Sequence, residues 1–258
     1  MPHQPGLKGR RLLVILVLTT IMSIDVEAEY SRLHLETGLA YMQQGLLEEA
    51  VEELETALDL DPDCHEAHLA LGRLRARMGD PERAEESLQL FVELEPDDFR
   101  GPLALARLYL DSSRYRQARD RALQAHALNP SDSEILLELG RSAALCGDTA
   151  SAMRWLSRVI AEEGDLEDRA RVLAARLTRA GGQATEAREL LLPAASRDYA
   201  PAIWGLARVY VSWEDYMRAS DAMRRYLRLE PEGRWADSAR MELDRFSREG
   251  LYIPGAQP

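Results

Sequence analysis

A period of 34 residues constrains this chain more than any other feature. Pro62, Pro96 and Pro130 follow Ala-, Leu- and Glu-rich segments at that spacing. With Ser31, His65, Phe99, Ser133, Asp168 and Ala200 as first positions, position 20 is Ala50, Ala84, Ala118, Ala152, Ala187 and Ala219. Position 8 is always small: Gly38, Gly72, Ala106, Gly140, Ala175 and Ala207. Position 24 is Leu54, Leu88, Ala122, Leu156, Leu191 and Met223. A turn near position 15 splits each unit into two helical segments, as in Met78-Gly79-Asp80-Pro81-Glu82, where Asp80 is placed to cap and Pro81 to enter the first helical turn. Asp63-x-x-Glu66 and Ser131-x-x-Glu134 have the spacing of capping boxes. One such helix pair cannot bury its apolar face alone, so the units must stack on their neighbours.

On these residues the chain resembles the tetratricopeptide repeat family. The match rests on the small residue at position 8, on Tyr41, Tyr109 and Tyr210 at position 11, on Ala at 20, and on Pro62, Pro96, Pro130 and Pro231 at 32. The resemblance implies an all-α fold, a right-handed α-solenoid of about six helix-turn-helix repeats near 31–64, 65–98, 99–132, 133–167, 168–199 and 200–233. Residues 234–248 have helical spacing and are expected to form a C-terminal capping helix, so that the array spans 29–248, with 249–258 an irregular tail. The fifth repeat departs from the pattern. Gly181-Gly182 adds a residue, Leu192-Pro193 shortens the return and Tyr199 replaces Pro, so a change of pitch is expected there.

The N-terminus reads differently. Lys8, Arg10 and Arg11 precede an apolar run from Leu12 to Met22, and Val26 and Ala28 stand where a cleavage site before Glu29 needs small residues. Residues 1–28 are therefore expected to be a secretory signal peptide, and the protein to be exported, in a bacterial periplasm. The run is short for a membrane span, which takes about 20 apolar residues. The alternative is an uncleaved inner-membrane anchor formed by residues 12–24, the one case in which membrane contact is expected.

Composition narrows the function. The formal net charge is -12, and losing residues 1–28 removes Lys8, Arg10 and Arg11 against Asp25 and Glu27 to leave -13. Nucleic-acid binding, which needs a basic surface, is not expected. No phosphate loop, nucleophile elbow or Cys-x-x-Cys is present, so neither an enzyme nor a cofactor is expected. Asp61-Pro-Asp-Cys-His-Glu-Ala-His68 resembles a metal site, but His65 and His68 are three apart rather than four, and the stretch falls on the joint between repeats one and two. Cap and packing roles are expected for it, and no metal. Cys64 and Cys146 are too few for a disulfide framework.

The functional signal is a column of arginines. Position 9 is Arg73, Arg107, Arg141, Arg176 and Arg208 in repeats two to six. The family resemblance implies that positions 2, 5, 9, 12 and 13 face a concave groove, and their spacing puts them on one helix face. These positions add Arg77 and Arg179, with ten Arg against Glu66, Asp111 and Glu134 overall. Position 5 contributes an apolar stripe through Leu69, Leu103, Leu137 and Trp204. Such a groove suits an acidic or mixed segment of another protein, with an anionic polysaccharide as the alternative ligand, because Arg gives bidentate contacts to carboxylates. The carboxylate clamp of chaperone-binding family members uses Lys and Asn; the mature chain has no Lys, and Asn129 is its one Asn. In size and repeat number the chain is similar to exported family members that help assemble type IV pili. The expected role is an exported protein-interaction scaffold in cell-envelope assembly.

Overall fold

The computed structural model describes residues 7–251, with side chains from Val26 onward. Residues 1–6 of the expected signal segment and the last seven residues of the expected tail lie outside the described residues, while residues 7–28 belong to the first helix. The described residues form thirteen α-helices and no strand. They divide into two units, one ending at Leu128 and the other beginning at Asn129.

The first unit holds α1 (Leu7–Gln44), α2 (Leu47–Leu60), α3 (His65–Met78), α4 (Pro81–Leu94), α5 (Arg100–Asp111) and α6 (Tyr115–Leu128). The second holds α7 (Ser133–Leu145), α8 (Thr149–Ala161), α9 (Glu167–Ala180), α10 (Ala184–Ser196), α11 (Ala200–Ser212), α12 (Tyr216–Leu229) and α13 (Ala236–Arg248). Helices α2, α4, α6 and α12 each stop two residues before Pro62, Pro96, Pro130 or Pro231, as expected of a residue that disfavours helix in its predecessor.

The repeat columns have a packing cause. All six position-20 alanines are fully buried. Positions 8 and 24 of one repeat oppose each other across the helix pair. A Cβ built on Gly38, Gly72 or Gly140 would lie 2.9, 2.6 or 2.7 Å from the side chain of Leu54, Leu88 or Leu156. In repeat three the small partner Ala122 stands at position 24 and Ala106 fills position 8, so the volume is redistributed across the contact.

Local signals were partly misplaced in the sequence. Asp80 does cap α4, accepting from the Arg83 amide at 3.2 Å, with Pro81 in the first turn. Ser131 does not cap α7; Asp132 does, accepting from the Glu134 and Ile135 amides at 2.9 and 3.1 Å. Asp63 does not cap α3 either, since Cys64 occupies that position without a side-chain bond. Pro193 does not end α10, which continues to Ser196. Its missing N–H removes the helical bond that the Glu189 carbonyl would otherwise accept, and the helix continues for three residues beyond it. Both cysteines are free.

In the second unit α13 covers α12. Phe246 is fully buried with its ring 5.0 Å from that of Tyr216, and Ala236 and Ala239 are buried beside it. This helix supplies an otherwise absent neighbour for the last repeat.

Candidate functional site

The second unit contains a cavity of about 230 Å³ built by α9, α10, α11 and the segment entering α13. Val172, Ala175, Leu191 and Pro201 give it apolar walls, and Trp204 and Trp235 stack at 6.1 Å with their planes 9° apart. Two glycines shape it. A Cβ on Gly205 would meet Leu191 at 3.0 Å, and one on Gly233 would meet the Tyr226 hydroxyl at 2.6 Å. Gly233 thereby lets the chain pass close enough for the Trp235 amide to donate to that hydroxyl at 3.1 Å, which fixes Trp235 against Trp204.

Four arginines and no acid line this cavity: Arg176 and Arg179 from α9, Arg208 from α11, and Arg234. Arg176, Arg179 and Arg234 have no ion-pair partner among the described residues. Arg208 lies 3.5 Å from Glu242, and its guanidinium is 6.0 Å from the Trp204 ring centre. Arg234 lies 5.7 Å from that of Trp235. The arrangement offers guanidinium donors for bidentate carboxylate contacts beside an aromatic surface. A space of about 230 Å³ can take one large side chain of a bound segment.

Elsewhere the arginine column is spent differently. Arg141 is paired at 2.7 Å with Glu138, whose side chain is 3% exposed. Arg100 makes two bonds to Glu66, at 2.6 and 3.2 Å, and two to Asp98, so the groove acid Glu66 neutralises a groove arginine one repeat away. Those bonds raise its guanidinium pKa well above the ordinary value, Asp98 contributing most. Arg73 and Arg77 are exposed on α3, and Arg107 is half-buried on α5.

The apolar stripe does not line a surface. Leu69, Leu103 and Leu137 are 2%, 3% and 1% exposed. Leu69 packs among Ala104, Leu105 and Leu108 of α5, and Leu137 joins Ala170 and Ala174 of α9, because the first helix of the next repeat closes over this position. Trp204 remains half-buried on the cavity wall. Arg234 and Trp235 fall in the expected capping segment 234–248, but α13 begins at Ala236 and both residues precede it. Their position two residues after Pro231-Glu232 and next to Gly233 was the available signal.

The stretch from Asp61 to Gly72 has the packing role expected of it. His68 is 8% exposed and its Nε2 lies 2.9 Å from the Pro62 carbonyl oxygen. His65 lies 3.5 Å from Glu95. Among the described residues no group of three or more His, Cys, Asp or Glu is placed to hold a metal ion.

The tetratricopeptide repeat model matches residues 35–99 and 103–168, just over half of the chain. The chain belongs to the tetratricopeptide repeat family. No curated protein sequence matches it significantly. Among solved structures, PilF of Pseudomonas aeruginosa is similar with a TM-score of 0.68 and 22% identity, covering 86% of this chain and 99% of PilF. PilW, a widely conserved type IV pilus biogenesis factor, gives 0.72 and 19%, covering 81% of this chain and 97% of PilW. MamA gives 0.57 and 23%, covering 66% and 92%. These likenesses show the fold. Among the described residues, no helix is long and apolar enough to cross a membrane. Family membership places the protein among interaction scaffolds that bind other proteins.

Proposed function

We propose that this tetratricopeptide protein is a non-enzymatic scaffold of the cell envelope whose α9–α11–α13 cavity holds an acidic, apolar-bearing segment of a partner protein. The observation that carries the reading is the set of four arginines around an aromatic pair with no lining acid, three of them without an ion partner among the described residues. A carboxylate-bearing segment would give those guanidiniums the partners that Arg100 and Arg141 already have. The similarity to PilW, a type IV pilus biogenesis factor, supports a role in assembling an envelope machine. Residues 1–28 are removed on export in this reading, and the intact mass of protein recovered from cells should then begin at Glu29.

A photoreactive residue at position 201, on the cavity wall, tests the site in cells. A defined partner should be captured, and capture should fall about 30-fold or more in Arg176→Glu/Arg234→Glu, since each charge-assisted bond contributes about 1.5–3 kcal/mol. Capture unaffected by the reversals would remove the cavity as the docking site. Titration with an anionic oligosaccharide is the discriminating arm: saturable, salt-sensitive binding lost in the same variant would assign the site to a polysaccharide instead.

A further inference from the structure

The first unit presents a surface of opposite sign. Two adjoining hollows of about 430 and 290 Å³ lie between α2 and α4 and share Leu58, His68 and Leu90. Leu90 is 45% exposed and Leu94 36%, so large apolar side chains face solvent here on consecutive turns of α4. Around them stand Asp59, Asp63, Glu86 and Glu93, none with an ion-pair partner among the described residues. Arg75 is the one lining cation, and it is held by Glu55 at 2.6 Å and Ser87 at 3.0 Å.

His68 adds an independent observation. The Pro62 carbonyl can only accept, so the His68 Nε2 at 2.9 Å donates to it, and in the neutral ring Nδ1 is left with a bare lone pair. That Nδ1 is buried and has no hydrogen-bond partner. An unmet acceptor beneath exposed leucines, ringed by unpaired carboxylates, calls for an occupant that brings N–H donors, positive charge and an apolar side chain. Four carboxylates repel the acidic segment assigned to the cavity of the other unit.

We infer that the α2–α4 furrow docks a cationic segment of a partner protein, one carrying Lys or Arg beside Leu or an aromatic residue. The protein then has two sites that select unlike chemistry, which fits it to join two different proteins. This inference stands whether or not the arginine cavity binds a partner.

The full chain titrated with a dye-labelled amphipathic Leu/Lys peptide, read by fluorescence anisotropy, tests it. Binding should saturate. Glu86→Arg/Glu93→Arg should weaken it at least 10-fold, and Leu90→Ser several-fold even in high salt. Asp221→Arg/Asp244→Arg, an equal change in net charge elsewhere, should leave it within 2-fold. The His68 ring ¹⁵N signals should move on addition of the peptide. Equal weakening by the two double reversals would reduce the effect to attraction by a chain of net charge -12 and overturn the site. Equal binding of a Leu/Glu peptide, or an unmoved His68, would also overturn it. Self-association abolished by Leu90→Ser would make a second copy the occupant and refute the partner chemistry. The altered positions Glu86, Leu90, Glu93, Asp221 and Asp244 are all exposed, and thermal melts of each variant confirm folding before binding is compared.

Discussion

Replacing Gly72 with Ala tests the packing rule behind the whole array. The new Cβ would sit 2.6 Å from Leu88 Cγ, 2.7 Å from its Cδ2 and 3.2 Å from the Ala84 carbonyl oxygen. Leu88 is 1% exposed, and the closest atom is its branch point rather than a free end, so the side chain cannot swing aside without disturbing its neighbours. Overpacking of this kind costs about 1–3 kcal/mol, and a 2.6 Å approach to a branch point belongs to the upper part of that range, about 2–3 kcal/mol. Ala in place of a mid-helix Gly returns about 0.5–1 kcal/mol, leaving a net loss of about 1–2.5 kcal/mol. At about 2–4 °C per kcal/mol for a chain of this size, the midpoint of a circular-dichroism melt should fall by about 2–10 °C. Hydrogen exchange should accelerate first in α3 and α4, since repeat stability is mainly a nearest-neighbour property. Leu88→Ala alone should cost about 2–5 kcal/mol. The double variant should cost less than the sum by about 1 kcal/mol or more, because each change relieves the other, as Ala106 and Ala122 do in repeat three. Gly79→Ala is the control: its strain comes from φ of 82°, nothing lies within 4 Å, and its cost should not couple to Leu88. A Gly72→Ala protein as stable as the parent, or strict additivity with Leu88→Ala, would refute the close-approach explanation.

Other consequences are equally checkable. Phe246→Ala should destabilise the second unit by about 3–5 kcal/mol and raise exchange in α12, measured by denaturant melts and hydrogen exchange. Asp80→Ala should cost about 0.5–2 kcal/mol by removing the α4 cap, read from the same melts. The Glu85 carboxyl is held below its ordinary value of 4.5, chiefly by the hydrogen bond from Arg114, against the opposing effect of burial and with a smaller contribution from Tyr109. A depressed folded-state pKa gives stability that is present above the unfolded value and lost as pH falls through the folded one. Arg114→Met should therefore raise the Glu85 midpoint in an NMR titration and flatten stability against pH on the acid side of 4.5.

The elements differ in how far the sequence reached. The 34-residue period, the position-20 alanines and the Pro after α2, α4, α6 and α12 are local or periodic signals, and each has the role in the helix pairs that its pattern implied. Caps shifted by one residue, from Ser131 to Asp132, because neighbouring Ser and Asp compete for the same amides and only the backbone path decides between them. The leucine stripe failed for a longer-range reason. Position 5 points toward the groove on an isolated helix, but the next repeat closes over Leu69 and Leu137.

The sequence by itself determined the repeat family, the helix pairs and the residues that must be small, because these depend on contacts at fixed separation along the chain. Tertiary structure alone decided which arginines are free. Glu66 reaches Arg100 across 34 residues and Glu138 takes Arg141, while Arg176, Arg179 and Arg234 converge on Trp204 and Trp235 with no carboxylate lining the space between them. Charge pairing depends on distances through space, and composition, however lopsided, carries no record of those distances.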